Sequence, residues 1–144
     1  MDFVKLNKER HAVKRFNGKK IPTVDVKQII SAAALAPSGH NIQSWHFVIV
    51  ESDEKREALL TEVKRQNHEQ IRTAGALIVI FSDTDLAKRS IEMAAIAGDE
   101  LPEETLERLN NRYPKMFDEL DEAYLNEYLT LNTGFVTMNW TNVK

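Results

Sequence analysis

The sequence predicts an α+β domain in which a small sheet is flanked by helices, and three observations carry that expectation. Two short runs, Trp45 to Val50 and Ala76 to Phe81, are rich in aromatic and β-branched residues, the composition of buried strands. The segments around them place apolar residues at helical spacing, and the last stretch, Asp121 to about Trp140, reads as one long helix. With 144 residues the chain is long enough for one domain, taken as 1–144, and too short for two comfortable ones.

Composition narrows the classes. Apolar and charged fractions of 42% and 28% are those of a soluble globular protein, and a net charge of −3 gives no electrostatic reason to expect nucleic acid. The absence of cysteine excludes disulfides, thiol nucleophiles and thiolate metal sites. No apolar run approaches the length of a membrane span, and the start lacks the basic-then-apolar order of a signal peptide, so the cytoplasm is the expected location.

In chain order, Asp2 can cap a short helix to about Glu9, with Phe3, Val4 and Leu6 as its apolar contacts. The next residues, Arg10-His11-Ala12-Val13-Lys14-Arg15-Phe16, form either a solvated basic surface or a short extended grip for one anion. If extended, Arg10, Ala12 and Lys14 face one way and His11, Val13 and Arg15 the other. Asn17 to Pro22 is a turn, Thr23 opens a helix as its N-cap, and Val26, Ile29, Ile30, Ala33 and Ala34 form its apolar stripe until Pro37 stops it. Between Pro37 and Trp45 lie Ser38, Gly39, His40, Asn41, Gln43 and Ser44, directed donors and acceptors with a glycine that permits close approach. Such residues make either a binding loop or ordinary turns.

After the first strand, Ser52-Asp53 caps a helix with Leu59, Leu60 and Val63 on its inner side. Asn67 is a possible helix cap ahead of the second strand, whose unbroken apolar run predicts burial on both faces. From Asp83 to Pro114 helices are expected at about Asp85 to Ala97 and Pro102 to Arg112. The acids Glu92, Asp99, Glu100, Glu103, Glu104 and Glu107 supply no His-carboxylate cluster of a recognised type, so they read as solvated surface and no metal site is assigned. The final helix is apolar on nearly every side, with Tyr128, Leu129, Leu131, Phe135, Val136, Met138 and Trp140, and Gly134 would let another backbone come close.

Four of these stretches share one resemblance. Pro37-Ser38-Gly39-His40-Asn41-Ile42-Gln43-Ser44-Trp45 is similar to the Pro-Ser-x-x-Asn-x-Gln-Pro-Trp signature of the nitroreductase family, with Ser44 in place of the usual proline. Arg10 to Phe16 resembles that family's Arg-Arg-Ser-x-Arg-x-Phe motif, with Ala12 where serine is usual. Asn67 and Gln70 fit its short Asn-x-x-Gln pattern, and Asn132 to Asn139 resembles its long core helix. The resemblance implies a nitroreductase-like fold, a homodimer with FMN at the subunit interface, and hydride transfer from NAD(P)H through FMN to a nitroaromatic, quinone or related small acceptor. It implies Arg10, His11 and Ala12 at the phosphate and ribityl end, Lys14 at the pyrimidine edge and Asn67 and Gln70 at the ring edge, with Pro37, Ser38, Gly39 and Asn41 from the other subunit. No protein group need serve as a catalytic acid or nucleophile, because the flavin carries the redox chemistry; Lys14 tunes it by stabilising negative charge that develops on hydride arrival.

Relative to such a family the chain is short, lacking further strands, a flavin loop and an embracing arm. A truncated product, a fragment and a shortened protein all fit the sequence. So do two rival functions: a flavin-binding or dimerising remnant without catalysis, and a nonflavin interaction domain.

Overall fold

The computed structural model describes residues 3–141, and it is α+β, with eight α-helices and a two-stranded sheet among them. The chain forms two compact units, one made of Met1–Leu35, Phe47–Ile80 and Thr137–Lys144, the other of Ala36–His46 and Phe81–Val136.

In the first unit, α1 (Phe3–Glu9) buries Leu6 but leaves Val4 exposed, so the two described contacts of its expected apolar set divide between core and surface. The expected cap Asp2 and the side chain of Phe3 lie outside the described residues. Helix α2 (Thr23–Ala33) buries Val26 and Ala33 along the anticipated stripe. Thr23 is its first residue rather than its cap, and its hydroxyl donates to Glu51 Oε1 at 2.5 Å instead. The helix ends at Ala33, four residues before Pro37, which has no N–H to give the Ala33 carbonyl; that carbonyl accepts from Asn139 Nδ2 at 3.2 Å, and the Ala32 carbonyl, which also takes Leu35 N, accepts from it at 3.0 Å. Helix α3 (Asp53–Leu59) is capped as expected by Ser52, whose hydroxyl accepts from Lys55 N at 3.2 Å. Asn67 holds the N-cap position of α4 (His68–Thr73) but its side chain makes no capping bond.

Strands β1 (Trp45–Ile49) and β2 (Ile78–Ser82) pair with each other. Val50 N donates to Leu77 O at 2.8 Å and Asp83 N to Ser44 O at 2.7 Å, so residue numbers rise along one strand as they fall along the other, and the pairing is antiparallel. Burial of β2 on both faces does not occur: none of its residues is fully buried and Phe81 is exposed, because with one neighbour each both strands are edges.

The second unit is built on Ile42, Leu86, Phe117 and Leu129, with Tyr113, Met116, Leu120 and Leu125 packed against them. Asp85 caps α5 (Leu86–Ala97), accepting from Lys88 N at 2.9 Å. The helix expected over Pro102 to Arg112 is broken into α6 (Glu103–Glu107) and a π-helical turn, Arg108–Arg112, which leads into α7 (Tyr113–Asp118). Pro114 explains the break, since it has no N–H to donate and its ring would clash with the carbonyl four residues back in a regular helix. The long helix forms as α8 (Glu122–Thr141), its first turn held by Asp121 Oδ1, which accepts from Tyr124 N at 2.8 Å. Its apolar residues divide: Leu129 and Val136 are buried, whereas Leu131, Phe135 and Met138 are exposed, and the Trp140 side chain lies outside the described residues. A Cβ at Gly134 would meet nothing within 4 Å, so among the described residues no other backbone uses the space it leaves.

Candidate functional site

In the first unit the chain from Arg10 to Pro22 forms no strand. Side chains of α4 and the backbone of the turn after it hold this segment in place of a sheet ladder. Gln70 Nε2 donates to Val13 O at 2.7 Å, Phe16 N donates to Thr73 Oγ1 at 3.0 Å, and Ile21 N donates to Gly75 O at 3.1 Å. Gly75 is required there, since a Cβ would stand 2.1 Å from Lys19 O. Arg56 Nη1 in turn donates to the carbonyls of Ile71 and Ala74, at 2.5 and 2.9 Å, and so fixes the turn that carries Gly75.

The segment so held borders an open groove of about 550 Å³. Arg10, His11, Ala12 and Val13 line one side of it, and Val26, Ile29 and Ile78 give it apolar walls. The alternation expected of a strand is therefore lost, because residues from both expected faces reach the groove. Lys14 is exposed and does not line it, nor do Asn67 and Gln70, both half-buried on the neighbouring turn and helix. Charge separates the cations of this stretch. Arg15 Nε lies 3.2 Å from Glu69 Oε1, and His11 Nδ1 lies 2.9 Å from Glu9 O. Among the described residues no carboxylate pairs with Arg10 or Lys14. Arg10, so placed at the border of an apolar groove, suits a ligand that is flat and apolar in one part and anionic in another.

In the second unit the loop from Pro37 to Ser44 is a distorted turn. His40, Asn41 and Gln43 all have positive φ, at 54°, 53° and 47°, which non-glycine residues adopt only when their surroundings enforce it. Its polar groups largely satisfy one another. Ser38 Oγ accepts from Gln43 N, and Gln43 Nε2 donates to Asn41 Oδ1, both at 3.0 Å. Gly39 N donates to Asn132 Oδ1 at 2.6 Å, and His40 Nδ1 lies 3.0 Å from Tyr128 Oη. Pro37 and Asn41 are exposed, while Ser38 and Gly39 are half-buried. The close approach expected at Gly39 is real, but its partner is a ring: a Cβ would stand 2.5 Å from Tyr128 Oη. Ser44 is fully buried and its hydroxyl finds no partner among the described residues.

The His40 ring sits edge-on to Tyr113 and Phe117, at centroid distances of 4.8 and 5.6 Å. Desolvation there, and then the Arg112 guanidinium, hold its pKa below the ordinary 6.5. Burial, reinforced by Tyr124 and Tyr113, pushes the Tyr128 hydroxyl up to about 12. Sequence reasoning missed Tyr128, Asn132 and Arg89, whose Nη2 donates to Gln43 O at 3.3 Å. The available signal was a buried amide on an otherwise apolar helix. Among the described residues there is no cluster of three potential metal ligands, and no helix long and apolar enough to cross a membrane.

Comparison with known proteins bears on both regions. The profile of the nitroreductase family matches residues 8–120. A Streptococcus pyogenes protein named a putative NAD(P)H nitroreductase is 40% identical over 139 residues, covering 96% of this chain and 68% of its own length. The crystal structure of a nitroreductase family protein from Streptococcus pneumoniae superposes with a TM-score of 0.90 at 41% identity, over 96% of this chain and 69% of that one. A protein of Exiguobacterium sibiricum, named a putative nitroreductase and solved in complex with FMN, superposes with a TM-score of 0.85 at 26% identity, over 97% and 68%.

Proposed function

The chain belongs to the nitroreductase family and has its fold, and from that premise we propose that it is an FMN-dependent oxidoreductase that takes hydride from NAD(P)H and passes it to a small organic acceptor. The observation that carries the proposal is the groove of about 550 Å³ with Arg10, which has no carboxylate partner among the described residues, at its border. That volume lies within the roughly 300–1,000 Å³ usual for cofactor sites. The residues present fit the group: a guanidinium and an imidazole for a phosphate, and apolar walls for a planar ring. When bound, FMN would supply the hydride chemistry, accepting from NAD(P)H and donating to a nitroaromatic, quinone or related acceptor.

The chain's own contribution is to bind, orient and bias. Arg10 and His11 hold the phosphate and ribityl end, and Ala12 keeps that wall small. Lys14, exposed on the same segment but outside the groove's lining, would bring a positive charge to the pyrimidine edge by turning its flexible side chain toward it, and would there favour the more negative, reduced state. Gln70 acts on the groove through Val13, whose carbonyl its amide binds, and Asn67, at the N-cap position of the same helix, would serve the ring edge. In a homodimer the loop of the partner subunit would complete the site with its copies of Pro37, Ser38, Gly39 and Asn41. FMN binding and dimerisation would then strengthen each other, and sedimentation with and without FMN would show tighter association with it.

The absorption spectrum of the purified chain tests the reading. Bound oxidised flavin absorbs in the visible; a colourless protein that gains no thermal stability with excess FMN overturns it.

A further inference from the structure

We infer that Asn132 is the positioning residue of the loop from Ser38 to Gln43, and that by fixing the backbone at Gly39 it sets the loop's fitness for the cofactor proposed above, on which reading this inference rests. Three residues of that loop have positive φ, a conformation that relaxes unless something external opposes it. The bonds among Ser38, Asn41 and Gln43 lie within the loop and move with it, so they cannot anchor it. External ties come from Arg89, at 3.3 Å to the carbonyl of Gln43, from Tyr128 to the exposed His40 ring, and from Asn132.

Asn132 differs from the other two. It is 1% exposed, so its amide has no competing water. Both ends of that amide are spent at 2.6 Å: Oδ1 accepts from Gly39 N, and Nδ2 donates to Tyr128 O one turn back along α8. Reversing the amide would set donor against donor and acceptor against acceptor, so only one orientation is allowed. Gly39 meanwhile has no room for a side chain against Tyr128. A buried, two-way-locked acceptor thus holds the loop by its one glycine.

The test compares Asn132→Leu, which keeps size and removes the acceptor, with Asn139→Leu, a control that removes the amide capping α2. Hydrogen exchange of the amides of residues 38–43 is read in FMN-free protein, and FMN affinity is read by fluorescence titration. Asn132→Leu should accelerate exchange across the loop and weaken FMN by about tenfold or more, the worth of one buried hydrogen bond. Asn139→Leu, at a comparable loss of thermal stability, should leave the exchange of those amides as in the wild type. Asn132→Ala serves if the leucine variant does not fold. A folded Asn132 variant with wild-type exchange in the loop overturns the inference, as does a fast-exchanging Gly39 amide in the wild type. The exchange arm needs no FMN, so a wild type that fails to bind FMN sinks the functional reading while exchange still decides the role of Asn132.

Discussion

The basic segment from Arg10 to Phe16 and the loop from Pro37 to Ser44 are both rich in polar groups, and they use them in opposite ways. The segment is held by bonds to its backbone, from Gln70 and Thr73, which leaves the side chains of Arg10 and Lys14 without a carboxylate partner among the described residues. The loop spends its side chains on partners inside the second unit, Ser38, Asn41 and Gln43 on one another and His40 on Tyr128. Cations left without a carboxylate partner would suit the anionic ligand proposed above. In the loop what a ligand would meet is a strained backbone tied from outside, by Asn132 at Gly39 and by Arg89 at Gln43.

The largest expected effect comes from breaking the frame of the basic segment. Gly75→Ala drives a Cβ to 2.1 Å from the Lys19 carbonyl, a backbone clash that should cost about 3 kcal/mol by denaturant titration. Side-chain deletion then sharpens the contrast. Arg10→Ala should weaken FMN by about 10- to 100-fold, as expected for a lost charge-assisted bond of roughly 1.5 to 3 kcal/mol, and change folding stability by less than about 0.5 kcal/mol. Arg15→Ala, which removes a cation already paired with Glu69 at the surface, should leave FMN affinity within about twofold.

In the loop the balance reverses. Ser38→Ala removes the acceptor for Gln43 N and should cost about 1 kcal/mol of folding stability. The smallest effect is a pH dependence. Because the native pKa of His40 lies below 6.5, the unfolded chain takes up that proton first as pH falls, so stability declines below 6.5. His40→Asn keeps a residue tolerant of positive φ and removes the titration, so thermal melts between pH 7 and about 5.5 should show a flatter profile than the wild type.

Much of the fold was legible because it is local. Ser52 caps its helix as its position predicts, the helix expected from about Asp85 forms from Leu86 with Asp85 as its cap, and the long final helix follows from its composition. What escaped depends on partners distant in sequence. The hydroxyl of Thr23 turns to Glu51, the basic stretch is pinned by α4 in place of a strand neighbour, and the two edge strands leave Phe81 exposed. Pro114 was visible as a helix breaker, but the π-helical turn that absorbs it depends on how the preceding turn can widen. Of the residues that the motifs single out in the first unit, Arg10, His11 and Ala12 border one groove, whereas Lys14, Asn67 and Gln70 do not. Asn132 and Tyr128 were hidden because their role lies in contacts about ninety residues away along the chain.

The central claim is that the free charge of the basic segment exists to hold a phosphate. Riboflavin and FMN differ only in that group, so their dissociation constants for the wild-type chain and for Arg10→Ala, measured by fluorescence at one ionic strength, test it directly. The account predicts that the wild type binds FMN about tenfold or more tightly than riboflavin, and that Arg10→Ala removes most of the difference. Equal affinities for the two flavins in the wild type would contradict it.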